Sequence, residues 1–200
     1  MNKTELRRQF LAKRDTLSRS QILDLSTRIA ANLFSSFDLS EIRCIHSFLT
    51  IKDRGEVETS IIIDLIWRSY PHITVVVPRI NRKEKRMECA VYDPMSRLIP
   101  NFWGIFEPLN TRVVSEQAVD AVIVPLICFD ETGHRVGYGG GYYDKFLSIC
   151  RPDCLKIGVS FFDPIGKIED IEDHDIRLDF CVTPEKVWDF KESTLQDAQG

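Results

Sequence analysis

The stretch AVDAVIVPLICF, Ala118 to Phe129, runs almost without a polar residue and leads toward the glycine-rich segment RVGYGGGYYD, Arg135 to Asp144. A strand with one wet face alternates apolar and polar residues, whereas a strand covered on both faces reads as a continuous apolar run. This stretch therefore predicts an inner strand of a parallel sheet with helices on either side. Working outward, Cys44 to Leu49 and the β-branched run Ile73 to Val77 predict two further strands, the second ending at Pro78. Met87 to Tyr92, Lys156 to Phe161 and Phe180 to Thr183 predict three more.

Helical patterns lie between these runs. Thr4 to Arg14 predicts a polar helix with Leu6, Phe10 and Leu11 on one side. Ser18 and Gln21 form a capping box, in which each side chain satisfies an orphan backbone donor. Behind them Ile22, Leu25, Ile29, Leu33 and Phe37 recur at steps of three and four, the mark of one buried helical face. Thr59 is expected to cap a third helix that buries Ile62, Leu65 and Ile66, and Asp144 to Cys150 predicts a fourth. Pro100 to Pro108 (PNFWGIFEP) reads as an aromatic loop. Strands alternating with helices imply an α/β fold, a three-layer α/β/α arrangement with a mostly parallel sheet. No repeat or linker interrupts it, so one domain is expected over residues 1–190, with a polar tail over 191–200.

Composition narrows the functional classes. The 200 residues are 44% hydrophobic and 28% charged, enough for a full core. The formal net charge of −4 disfavours a duplex nucleic-acid binder, which is usually basic. The basic run RINRKEKR, Arg79 to Arg86, carries a Glu and reads as a solvated hairpin or loop. No apolar run approaches the roughly 20 residues of a membrane span, and the charged start MNKTELRRQF has no signal-peptide pattern. Six cysteines contain no C-x-x-C pair. Cys44, Cys89, Cys128 and Cys181 sit in apolar runs as small core residues, while Cys150 and Cys154 lie four apart without a completing zinc ligand. A cytoplasmic chain with reduced thiols is expected, with no nucleic-acid or membrane partner.

Gly137, Gly139, Gly140 and Gly141 fall within five positions. Their spacing matches neither G-x-x-x-x-G-K-[ST] nor G-x-G-x-x-G. A tight strand-to-helix turn accounts for the glycines as well as a phosphate cradle does. Arg135 before them and Tyr142, Tyr143 and Asp144 after them favour the cradle, because a bare turn requires neither a guanidinium nor a carboxylate.

The run FDETGHRVGYGGGYYDKFL, Phe129 to Leu147, strongly resembles the signature of the 5-formyltetrahydrofolate cyclo-ligases. KTELR (Lys3 to Arg7), EVET (Glu56 to Thr59), WGIFEP (Trp103 to Pro108) and HDIRLDFCVT (His174 to Thr183) follow the family's order. Val136 stands where Leu is commoner, and SFFDP after Val159 lacks a Gln often found there. The resemblance implies a fold like the sugar-phosphate isomerase and coenzyme A transferase group. It also implies ATP-dependent cyclisation of 5-formyltetrahydrofolate to 5,10-methenyltetrahydrofolate, with ATP as co-substrate and Mg2+ as cofactor, in a monomer.

The same resemblance assigns roles. Arg135 and Asp144 would be catalytic. ATP would meet Lys3, Arg7 and the segment Arg135, Val136, Gly137, Tyr138, Gly139, Gly140, Gly141, Tyr142 and Tyr143. Lys3 and Arg7 are spaced i, i+4 and share a helix face; Arg14, one heptad on, is a weaker candidate to join them. The folate would meet Leu49, Glu56, Trp103 and Tyr142, and the metal would meet Asp144 and Asp175. His174 reads as a loop residue, and Asp130 and Glu131 as shapers of the turn before the glycines. Two other readings remain open: another phosphate-handling enzyme of the fold group, and a nucleotide-binding regulator without turnover.

Overall fold

The computed structural model describes residues 1–191 apart from 52, 53, 82, 85, 102, 103 and 110. Its centre is an eight-stranded sheet. In chain order the strands are β1 (Cys44–Ser47), β2 (Thr74–Asn81), β3 (Arg86–Val91), β4 (Leu98–Pro100), β5 (Phe106–Pro108), β6 (Val113–Val114), β7 (Ala121–Pro125), β8 (Cys128–Phe129), β9 (Arg135–Val136), β10 (Leu155–Val159), β11 (Phe180–Val182) and β12 (Val187–Asp189). The sheet order is β12-β11-β10-β7-β1-β2-β3-β6. Pairs β11-β10, β10-β7, β7-β1 and β1-β2 are parallel, and antiparallel strands close both edges.

Alternation along the inner strands sends side chains to two apolar layers. Ile45, Val75, Ile123 and Ile157 pack with Ile29, Ala30 and Leu33 of α2 (Arg19–Ser36) and with Ile62, Ile63 and Ile66 of α3 (Thr59–Ser69). Cys44, Val76, Val122, Val124 and Cys181 pack on the other face with Phe146 and Leu147 of α4 (Tyr142–Ile149). This is the three-layer α/β/α fold expected from the alternation of strands and helices. A third cluster seats Leu6 and Phe10 of α1 (Lys3–Asp15) on Ile127, Cys128 and Val136. Among the described residues no helix is long and apolar enough to cross a membrane.

Several local expectations change. The run Ala118 to Phe129 is not one strand: β7 ends at Pro125, which cannot donate to a ladder, and Cys128–Phe129 pairs instead with β9 in a separate hairpin. Pro78 does not end β2, because the strand runs on as far as Asn81 against the antiparallel β3. The basic run is therefore the end of a β-hairpin, with Arg79 paired to Glu88 at 2.9 Å. Pro100 to Pro108 is not wholly loop; β4 and β5 pair across it. Thr59 does not cap α3: Glu58 stands at the cap without a side-chain bond, and the buried Thr59 hydroxyl donates to the Phe48 carbonyl at 2.6 Å. Leu65 is exposed, and Ile63 takes its place in the core. Ser18 and Gln21 do form the capping box. Of the polar tail, only Lys191 lies within the described residues.

Candidate functional site

A cavity of about 560 Å³ opens beyond the carboxyl ends of the parallel strands, where α/β sheets commonly place ligands. Phe48 and Leu49, just after β1, and Pro125, ending β7, contribute to its wall. The glycine segment forms another part. The chain reaches it through β8 and β9, whose connecting turn is organised by Asp130. One Asp130 carboxylate oxygen accepts from the Thr132 amide, the Thr132 hydroxyl and the His134 amide at 2.8–3.0 Å. Gly139 at φ +92° and Gly141 at φ +65° take conformations that L side chains rarely adopt, and Gly141 then starts α4.

Helix α1 brings cations to this loop from far away in sequence. Asn2 caps the helix with a full capping box, and the Lys3 amide donates to Asp170 at 2.7 Å. Lys3 and Arg7 both line the cavity. Arg7 Nε donates to the Gly137 carbonyl at 2.9 Å, and its guanidinium lies along Gly139. Arg14 does not join them. It is 3% exposed, donates through Nη1 to the Tyr138 hydroxyl at 2.9 Å, and donates through Nη2 to the Leu126 carbonyl. About two turns further along α1, it lies under the loop and away from the cavity.

Arg135 is also more confined than its position in the sequence suggests. Its side chain is 4% exposed, donates to Asp144 Oδ1 at 2.7 Å, and donates to the Ile176 carbonyl. Asp144 Oδ1 also accepts from the Ile176 amide at 3.1 Å. The pair ties β9, the first turn of α4 and the segment around 176 together at the cavity wall. Arg135 shares the place beside the glycines with Arg7, which stands against Gly139. Val136 points away from the cavity into the cluster beneath α1 and offers it no side chain.

Gly137, Tyr138, Gly139, Gly140, Gly141, Tyr142, Tyr143 and Asp144 all line the cavity. So do Glu172, His174 and Asp175, whose potential ligand atoms lie within 4.8 Å of one another. Asp144 is not in that group. Lys3 Nζ pairs with Asp175 Oδ2. Burial opposes the charge on Asp175, but the Glu172 amide and the Lys3 ammonium outweigh it and hold its carboxyl below the usual range.

The remaining wall has different chemistry. Leu49, Ile51, Pro78, Ile80, Met87 and Ile105 give it an apolar surface interrupted by Glu56 and Glu107. Glu56 is 5% exposed, and its Oε2 accepts from the Ile51 amide at 2.7 Å. Burial pushes its carboxyl up, against the Tyr138 hydroxyl, the Ile51 amide and the charges of Arg14 and Arg54. Glu107 Oε1 accepts from the Ile80 amide at 3.0 Å and from Asn101 Nδ2 at 2.7 Å, which fixes β5 against β2. Trp103 lies outside the described residues. Arg54, Glu107, Glu172 and His174 join the cavity lining without being among the site residues expected from sequence. Arg54 lies in the loop just before EVET, Glu107 lies within WGIFEP on β5, and E-x-H-D before Ile176 is the available signal for the other two.

This cavity joins a cationic glycine loop to an apolar lining that holds carboxylates. A sequence model of the 5-formyltetrahydrofolate cyclo-ligase family matches residues 1–184. A relative in Escherichia coli K12, named 5-formyltetrahydrofolate cyclo-ligase, is 33% identical over 140 residues, 68% of this chain and 76% of its own. A mouse protein of the same name is 24% identical over 190 residues, 88% of this chain and 91% of its own. The solved 5,10-methenyltetrahydrofolate synthetase of Aquifex aeolicus superposes with a TM-score of 0.81 at 27% identity, covering 96% of this chain and 94% of that one. The chain belongs to the 5-formyltetrahydrofolate cyclo-ligase family.

Proposed function

We propose that this chain uses ATP to close 5-formyltetrahydrofolate to 5,10-methenyltetrahydrofolate, releasing ADP and phosphate. The observation that carries the reading is one cavity with two chemically distinct walls: Lys3, Arg7 and the glycine loop on one, and Leu49, Ile51 and Glu56 on the other. A formamide carbon is a poor electrophile and its oxygen a poor leaving group. Phosphorylating the formyl oxygen corrects both defects, and the second folate nitrogen then closes the ring as phosphate leaves. Phosphoryl transfer depends on alignment and charge neutralisation rather than on a protein nucleophile. Lys3 and Arg7 would neutralise the triphosphate, and the amides of the glycine loop would cradle it. Arg135 would hold Asp144 and the segment around 176 in place around the reacting phosphoryl group.

Glu56 would accept a hydrogen bond from the pterin, with Leu49 and Tyr142 packing on the ring. Tyr138 links the two walls, since its hydroxyl meets both Arg14 and Glu56. The eight-stranded sheet runs from Cys44 in β1 to Asp189 in β12, which supports one domain over residues 1–190.

The residues fit a magnesium ion. Magnesium prefers oxygen ligands, and Asp175 and Glu172 offer carboxylates close enough to share one ion. Asp175 and Glu172 would hold it, while Asp144, whose Oδ1 is engaged by Arg135, lies outside that group; the His174 nitrogen suits magnesium less. When bound, the ion would offset charge on the β- and γ-phosphates. Product formation should stop in excess chelator, and Asp175→Asn should raise the magnesium midpoint more than Asp144→Asn does. An unchanged midpoint in Asp175→Asn would remove that residue from the metal site. The parent reaction is tested by following absorbance of the conjugated methenyl product, which should appear only when ATP and 5-formyltetrahydrofolate are both present.

A further inference from the structure

We propose, on the reading that the chain phosphorylates 5-formyltetrahydrofolate, that Arg54 is a further catalytic residue, whose guanidinium meets the phosphoryl group as it passes from ATP to the formyl oxygen. The local fold sets Arg54 at that place. Its amide donates to the Ile51 carbonyl at 2.9 Å, and the Ile51 amide donates to Glu56 Oε2 at 2.7 Å, so Ile51 ties down the turn on both sides of Arg54. Gly55 completes the turn at φ +56°, a left-handed conformation that favours glycine, and faces Arg14 of α1. Arg54 is exposed and lines the cavity, and its guanidinium carbon stands 5.1 Å from the centre of the Tyr138 ring. Tyr138 belongs to the glycine wall, and Glu56, two residues on from Arg54, belongs to the opposite one. Arg54 therefore stands where the two walls meet.

The other fixed cations of the cavity are already engaged. Lys3 pairs with Asp175, Arg135 with Asp144 and the Ile176 carbonyl, and Arg7 Nε with the Gly137 carbonyl. The Arg54 guanidinium has no carboxylate or carbonyl partner among the described residues. Glu56 feels its charge, but its bonds go to the Ile51 amide and the Tyr138 hydroxyl instead. The face of an aromatic ring attracts a cation without using up its N–H groups, so the Arg54 fork stays open to an anion. In phosphoryl transfer the charge of the moving group is spread over its three equatorial oxygens. The formyl oxygen bonds to the γ-phosphorus as the bond to the bridging oxygen breaks, and ADP leaves with that electron pair. The second folate nitrogen then attacks the formyl carbon. The carbon–oxygen bond breaks, and phosphate leaves with its electron pair and with the proton from that nitrogen. Because Arg54 stands toward the folate wall, it meets the phosphoryl group as that group moves away from the glycine loop. Its contact is thus made in the transition state rather than in bound ATP, which is the condition for raising the rate.

Wild type, Arg54→Ala and Arg54→Lys are compared by steady-state formation of the methenyl product and by thermal melting. Arg54→Ala should lower kcat on the order of a hundredfold, as when a group that stabilises transition-state charge is removed. Both KM values and the melting point should stay near those of wild type, because the exposed side chain touches only the Tyr138 ring. Guanidinium ion added to Arg54→Ala should restore part of the lost rate and give wild type nothing. Arg54→Lys should fall between the two, since it keeps the charge and loses the fork. An unchanged kcat in Arg54→Ala would overturn the proposal, as would a loss of rate that tracks a fall in melting point. A rise in the folate KM alone would overturn it by placing Arg54 on the carboxylates of the substrate's tail, and a rise in the ATP KM alone by placing it on the bound triphosphate. Wild type that forms no methenyl product would overturn the parent reading, and this role with it.

Discussion

The two walls of the cavity are built in opposite ways. The glycine wall gathers segments distant in sequence, α1, β9 to α4 and residues 172–176, and locks them through charge: Arg135 to Asp144, Lys3 to Asp175, and Arg7 to the Gly137 carbonyl. The opposite wall is set by the ends of β1 and β2 and by β5, and its fixed points are carboxylates accepting backbone amides: Glu56 from Ile51 and Glu107 from Ile80. The charged groups of the first wall hold the loop in shape. The other presents apolar surface with a few placed acceptors. A substitution in the first should damage chemistry and structure together, and one in the second should damage recognition alone.

The largest effect is expected from Arg135→Ala. Turnover should fall on the order of a hundredfold or more, as when a transition-state charge partner or its positioning is lost. Because the substitution also strands Asp144 beside the Ile176 segment, stability should drop by about 3 kcal/mol. Thermal melting and turnover should therefore fall together; loss of turnover with an unchanged melting point would show that Arg135 is not a strut. Next comes Arg7→Ala. The KM for ATP should rise roughly tenfold or more, the value of one charge-assisted contact, with the folate KM unmoved. Equal shifts in both would erase the division between walls. Glu56→Gln should do the reverse, raising the folate KM about tenfold and leaving ATP alone. Its carboxyl is raised by burial, so the charged form weighs against folding as pH rises through the raised value. Glu56→Gln should consequently melt no lower than the parent at neutral pH, and a clear drop would show that the carboxylate supports the fold.

The smallest effect at neutral pH lies in β1, beside Tyr143 and Phe146. His46 is fully buried in β1, with its ring 4.7 Å from Phe146 and 5.9 Å from Tyr143, and neither ring nitrogen has a partner among the described residues. Burial lowers its pKa from 6.5 to about 3. Its neutral form thus stabilises the fold fully above pH 6.5. As pH falls from there toward 3 the unfolded chain gains a proton that the folded one refuses, at about 1.4 kcal/mol per pH unit. His46→Phe should flatten that part of a urea-melt pH profile, and an unchanged slope would assign acid sensitivity to other groups.

Much of the fold was legible because strand and helix periods are local. The apolar runs located the inner strands, and the Ser18–Gln21 box located the start of α2. What escaped depended on tertiary context. Pro125 split the longest apolar run, and β2 passed through Pro78 because its outer segment needed only one antiparallel partner. The same divide runs through the site. Lys3 and Arg7 were readable from their spacing with the motif order, whereas Arg14 keeps that helix yet turns under the loop to Tyr138. Arg135 reads in sequence as a free cation, because nothing in its neighbourhood shows that Ile176 will come back to meet it.

The central proposed step is phosphoryl transfer to the formyl oxygen where the two walls meet. Substrate carrying heavy oxygen in the formyl group tests this directly, with released phosphate analysed by mass spectrometry after a single turnover. The label should leave in phosphate, one oxygen per methenyl product formed. Unlabelled phosphate, with the heavy oxygen in water, would contradict it.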